Sequence, residues 1–163
     1  MFNTANPVLI VIDCQKAIDS FSSLTRSNLD AELEISKLLN QWRINKKPIV
    51  HIRHSSKSIN SPYHASKPSF GFKDEVKPVA EESVVTKSEN CAFVGTNLEE
   101  KLKALDAKEL VICGVLTHHS IDATVRYASA LGYKITIAAN TTASLAINTR
   151  NGKKIDADTI QDI

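Results

Sequence analysis

The sequence predicts a three-layer α/β/α sandwich built on a mostly parallel sheet. Two observations carry the prediction. Short runs rich in Val and Ile are continuous in their apolar character, as in strands covered on both faces. Amphipathic helical patterns lie between them in the order β-α-β, then β-α-β-α-β, which places helices on both sides of a parallel sheet. At 163 residues the chain suits one domain, 1–163, with a sizeable core.

The strand candidates are Val8-Leu9-Ile10-Val11-Ile12, Ile49-Val50-His51-Ile52, Val84-Val85, Leu110-Val111-Ile112-Cys113 and Ile135-Thr136-Ile137-Ala138. The first helix shows Ala31, Ile35, Leu38, Leu39 and Trp42 on one face. Leu98, Leu102 and Leu105 repeat that spacing, and Thr96-Asn97-Leu98-Glu99 reads as a capping box that starts their helix. Ile121, Val125, Ala128 and Leu131 mark a third helix, stopped by Gly132. Residues 54–82, with Pro62, Pro68, Pro78 and many serines, form one long connection, and long connections in compact domains are often functional. After Ala139 the chain runs polar, and Ala157 to Ile163 looks like a helix start. Either the domain ends raggedly, or the sequence stops before a last helix and strand.

Composition narrows the function classes. Apolar residues make up 42% and charged residues 23%, the balance of an ordinary globular protein. The net charge of +2 is interspersed, with no basic tract to serve a nucleic acid. The apolar runs are too short for a membrane span, and the N-terminus lacks the features of a signal peptide. Cys14, Cys91 and Cys113 show no CxxC spacing, so reduced thiols and a cytoplasmic location are expected. There is no Gly-rich dinucleotide or phosphate loop and no G-x-S-x-G elbow, and no organic cofactor is implied.

In open parallel sheets, ligands bind beyond the carboxyl ends of the strands. The first strand ends at Asp13, the second at Arg53-His54 and the third at Lys87, while the fourth runs through Gly114 to Ser120 at a helix start. A carboxylate, a lysine and a hydroxyl from separate segments thus meet at one edge. Asp13 can exchange a proton with a reacting group. Lys87 would hold that carboxylate ionised and stabilise developing negative charge. Ser120 sits among free N–H groups at a helix N-terminus, suited to an oxyanion. The plainer roles are a turn-capping Asp13, a surface Lys87 and an N-capping Ser120.

Three segments resemble the isochorismatase-like family, which includes cysteine amidohydrolases such as nicotinamidases. They are Leu9-Ile10-Val11-Ile12-Asp13-Cys14-Gln15, the stretch Thr86 to Leu98 with its Lys87 and Ala92-Phe93-Val94-Gly95-Thr96, and Gly114-Val115-Leu116-Thr117-His118-His119-Ser120 running to Arg126. The resemblance implies a Rossmann-like hydrolase acting on a small molecule at a C–N (amide) or C–O (vinyl ether) bond. It implies Asp13 as general base, Lys87 as its partner and position 120 as the nucleophile. The N–H groups of Leu116 and Ser120 would form the oxyanion hole, beside a cis peptide at Val115-Leu116. Gln15, His54, Phe93, Thr117 and His119 are the expected substrate contacts. Homo-oligomers are implied as well.

The departure is Ser120, where the family carries cysteine. A thiol ionises far more readily than a hydroxyl, which needs a dedicated base to become a nucleophile. His118 or His119 could pair with Ser120, or Cys91 could substitute for the missing thiol. Family isochorismatases instead cleave a vinyl ether with the aspartate as acid, which asks nothing of residue 120. His51, His54 and His64 are similar to the metal cluster of nicotinamidases, but Arg53 stands where a liganding aspartate is needed, so no metal is expected. The alternative is a catalytically inactive member that binds a small molecule or a protein.

Overall fold

The computed structural model describes residues 7–162. Five strands form one parallel sheet: β1 (Val8–Ile12), β2 (Ile49–His54), β3 (Ser83–Lys87), β4 (Glu109–Val115) and β5 (Lys134–Ala143), in the order β3-β2-β1-β4-β5. Helices α1 (Ala31–Ile44), α2 (Leu98–Ala104) and α3 (Asp122–Ala130) connect them. A small antiparallel pair, β6 (Ile147–Asn148) and β7 (Lys154–Ile155), leads to α4 (Ala157–Asp162). Among the described residues no helix is long and apolar enough to cross a membrane.

The continuous apolar runs are explained by two cores, one on each face. Ile10, Ile12, Val50, Ile52 and Ile112 pack with Leu98 and Leu102 of α2 and Ala128 of α3. Leu9, Val11, Val111 and Cys113 pack with Ile35 and Leu39 of α1. Successive residues of β1 therefore alternate between faces, yet every one is buried. Each fully buried Ile or Leu contributes about 1.5–3 kcal/mol, so these strands could not face water on either side.

Three local expectations are corrected. The capping box does not form. Asn97 is the residue preceding α2, and the Thr96 hydroxyl donates to Ala92 O at 2.6 Å while accepting the Leu98 N–H at 3.3 Å. A local turn through Ala92 thus outcompetes the cap. The fifth strand runs on to Ala143, and residues 141–146 are buried although Thr141, Thr142 and Ser144 are polar. Their hydrogen bonds are met internally: Ser144 N–H donates to Ser27 Oγ at 2.8 Å, and Ser27 N–H donates to Ser144 O at 3.0 Å. The segment entering α3 is a π-helical turn, Thr117–Ile121, with Ile121 N–H reaching back to Leu116 O at 3.2 Å.

The chain builds outward from β1 to β2 and β3, then crosses to the other side of β1 with β4. The carboxyl ends of β1 and β4 flank that reversal, the place where open α/β sheets form a crevice. Gly114 makes the close approach there. Its φ is +122°, and a Cβ on it would lie 2.1 Å from Ile12 O. Gly95, also left-handed at φ +67°, has nothing within 4 Å of such an atom. Gly114→Ala is therefore expected to cost about 3 kcal/mol or more, and Gly95→Ala about 1–2 kcal/mol. Denaturant unfolding of the two variants checks this; equal losses would contradict it.

Candidate active site

Asp13 leaves β1 with φ +53°, a left-handed conformation that Asp tolerates better than most residues. This turn swings its side chain over the ends of the strands. Lys87, at the end of β3, lies two strands away, about 10 Å at the usual strand spacing. Its long stem crosses β2, and Lys87 is fully buried in reaching Asp13. Ser120 comes from the π-helical turn after β4.

The three groups close a triangle. Lys87 Nζ donates to Asp13 Oδ2 at 2.8 Å and to Ser120 Oγ at 3.0 Å, and Ser120 Oγ donates to Asp13 Oδ2 at 2.6 Å. The third ammonium proton goes to Glu89 O at 3.1 Å. Since an ammonium has three donors, Lys87 is fully engaged. Asp13 Oδ1 is the opposite case: it is buried and meets no donor among the described residues. Burial pushes the Asp13 carboxyl above its ordinary range, although Lys87 and the Ser120 hydroxyl pull it back.

A cavity of about 240 Å³ opens over this triangle. Asp13, Ser120, Val115 and Leu116 line its floor. Ile18, Phe21, His54 and Tyr63 form one wall, and Asn90 and His119 complete the lining. Phe21 stacks on Tyr63 with centroids 6.4 Å apart, and His54 meets Tyr63 edge-on at 5.6 Å. Burial, helped by the Lys87 charge, keeps the His54 imidazole below its ordinary pKa. The Val115–Leu116 peptide is cis. Leu116 O accepts the N–H groups of His119 and Ile121, and the Ser120 N–H between them does not join that pair.

The structure thus brings Asp13, Lys87, Ser120, Leu116, His54 and His119 together. Three expected substrate contacts stand elsewhere. Gln15 is fully buried, and its amide clamps the backbone of His54 and the carbonyl of Phe70. It shapes the pocket by holding β2 to the long connection. Phe93 lies in the core, stacked with Tyr127 at 5.4 Å and Tyr133 at 6.2 Å. Thr117 turns its hydroxyl to Gln161 of α4 at 2.8 Å.

The other candidates also separate. Neither His118 nor His119 bonds to Ser120 Oγ, whose partners are Asp13 and Lys87. Cys91 packs beside the core, and burial raises the thiol pKa of Cys14 and Cys113. The three histidines of the suggested metal cluster point to different partners. His51 is buried against Glu82 at 2.8 Å, and His64 bonds Ser66 at 2.8 Å. Among the described residues no group of three His, Cys, Asp or Glu is arranged to hold a metal ion.

Comparison with known proteins identifies the family and the fold. The isochorismatase domain model matches residues 7–153. The chain belongs to the isochorismatase family. The isochorismatase-family protein YrdC of Bacillus subtilis is 37% identical, over 95% of this chain and 83% of its own. The crystal structure of an isochorismatase-family protein from Chromobacterium violaceum superposes with a TM-score of 0.94 at 38% identity, covering 99% of this chain and 83% of that one. A streptothricin hydrolase of Streptomyces noursei is 28% identical over 79% of this chain and 46% of its own. This isochorismatase-family protein is thus an α/β member of a hydrolase family.

Sequence reasoning missed Phe21, Tyr63 and Asn90. Asn90 lies three residues beyond Lys87 and could have been included with that segment. Phe21 ends a short 3-10 helix, Lys16–Phe21, and Tyr63 sits in the long connection, and neither stretch carries a sequence pattern. It also missed Gln161, whose amide meets the hydroxyls of Ser27, Thr117, Thr142 and Ser144 at 2.8–3.3 Å and ties α4 to the turn that carries Ser120. Replacing Lys87 removes the charge and hydrogen bond that favour ionised Asp13. Lys87→Met is therefore expected to move the Asp13 titration further upward, as followed by carbon NMR of the carboxyl. An unchanged or lower titration would mean that Lys87 does not control the carboxylate.

Proposed function

We propose that this protein hydrolyses a C–N or C–O bond of a small molecule, with Asp13 as the group that moves the proton. One observation carries the reading: Asp13 lines the cavity, and its buried Oδ1 meets no donor among the described residues. The Ser120 hydroxyl, by contrast, has both a donor and an acceptor partner within the triangle. Asp13 has capacity left for a reacting group, and Ser120 Oγ has little.

For an amide, Asp13 as carboxylate takes a proton from a water drawn into the cavity. The water oxygen bonds to the carbonyl carbon, and the N–H groups of Leu116 and Ser120 receive the resulting oxyanion. Asp13 then gives the proton to the leaving nitrogen as the C–N bond breaks, leaving a carboxylic acid and an amine. For a vinyl ether, protonated Asp13 donates to the terminal vinyl carbon. Water adds to the oxocarbenium carbon, and the hemiketal splits into a ketone and an alcohol. Lys87 holds the carboxylate in place in either case. The streptothricin hydrolase relative supports a hydrolytic reading.

A raised Asp13 pKa supplies opposite signs for the two bonds. Amide cleavage starts from the ionised form, so its rate falls as pH drops through the Asp13 pKa. Vinyl ether cleavage starts from the protonated form, so its rate falls as pH rises through it. In both cases the limb lies above the ordinary carboxylate value of 3.8. Steady-state assays on an amide panel and on isochorismate test the proposal. Asp13→Asn should lower kcat about 10²–10⁴-fold and abolish that limb, whereas Ser120→Ala should lower it far less. If Ser120→Ala is as damaging as Asp13→Asn and an acyl-serine accumulates in the wild type, Ser120 is the nucleophile. If the wild type binds ligands but turns none over, the protein is a binding module.

A further inference from the structure

We infer that the cavity selects uncharged substrates and rejects carboxylate-bearing ones, with Phe21, His54 and Tyr63 as the residues that set this preference. The inference rests on the hydrolase reading only for the site's identity. It narrows the substrate to a compact, neutral carboxamide and so favours the C–N bond.

The argument is an accounting of charge and donors. No Lys or Arg lines the cavity among the described residues. The nearest cation is Lys87, and its three protons go to Asp13, Ser120 and Glu89. A substrate carboxylate therefore finds no ammonium proton to accept. Recruiting one would take a Lys87 hydrogen bond away from Asp13, Ser120 or the Glu89 carbonyl, a costly exchange in a buried site. Asp13, when ionised, adds repulsion from the floor. His54, the imidazole on the wall, is held neutral by its burial and by the Lys87 charge.

The walls suit a flat, uncharged body. Phe21, Tyr63 and His54 form a contiguous aromatic surface over the triangle. Such a surface favours planar groups by apolar burial and ring contact. Asn90 and the Leu116 and Ser120 N–H groups offer neutral polar contacts suited to a carboxamide. A substrate with two carboxylates, such as isochorismate, would be stripped of water with nothing positive to meet it.

An isosteric pair separates charge from shape: terephthalamide, which is neutral, and 4-carbamoylbenzoate, which differs by one carboxylate. Their affinities are measured by ligand-observed NMR titration of the full chain at about pH 8, where ordinary imidazoles are neutral. The expected result is at least about tenfold tighter binding of terephthalamide. Phe21→Lys, which adds a cation at the rim, should erase or invert the preference. Equal or tighter wild-type binding of the carboxylate overturns the inference, as does binding of neither probe. Because binding is read without turnover, a preserved preference with no hydrolysis would defeat the hydrolase reading alone. Hydrolysis with a carboxylate preference would defeat this inference alone.

Discussion

The site depends on a buried ion pair that is complete within the protein. Lys87 lies at the end of an outer strand, yet its ammonium is in contact with a carboxylate two strands away. Removing two charges from water is costly, and the pair repays it only because every proton of the lysine has an acceptor. That requirement fixes the geometry around it. It holds Asp13 in place with one oxygen bonded and the other meeting no donor among the described residues, and it locks the Ser120 hydroxyl between them. In the proposed mechanism, the pocket takes its chemistry from what the ion pair leaves unsatisfied.

The surrounding fold serves that arrangement. Gly114 lets β4 lie close against β1, which brings the turn carrying Leu116 and Ser120 beside Asp13. Gln15 holds the end of β2 to the long connection through three hydrogen bonds, setting the wall that includes His54 and Tyr63. Gln161 joins the same turn to α4 from the other side. None of these residues needs to touch a substrate to matter for the site. Each constrains a backbone segment whose position decides where a reacting group can stand.

Serine at position 120 changes the meaning of the triangle without dissolving it. A cysteine in that position would present a readily ionised thiol to the same two neighbours. A hydroxyl instead completes a hydrogen-bonded ring, accepting from Lys87 and donating to Asp13. Burial raises the Asp13 carboxyl pKa, and in the proposed mechanism that carboxyl is the group that moves the proton. The charge available to a ligand follows from the same ring, because the nearest cation is already engaged.

By itself, the sequence determined the layered fold and the triad. Continuous Val and Ile runs need cover on both faces, and residues at the strand ends must gather at one edge, so Asp13, Lys87 and Ser120 were legible in one dimension. The π-helical turn, the continuation of β5 and the aromatic wall were not. They depend on contacts between segments far apart in the chain, such as Ser27 with Ser144 and Phe21 with Tyr63. For the same reason Phe93 and Gln15 matched a motif but went to the core and to a backbone clamp. Tertiary structure alone decided which polar atoms were already satisfied. That depends on distances between side chains from different strands, and local pattern carries no record of them.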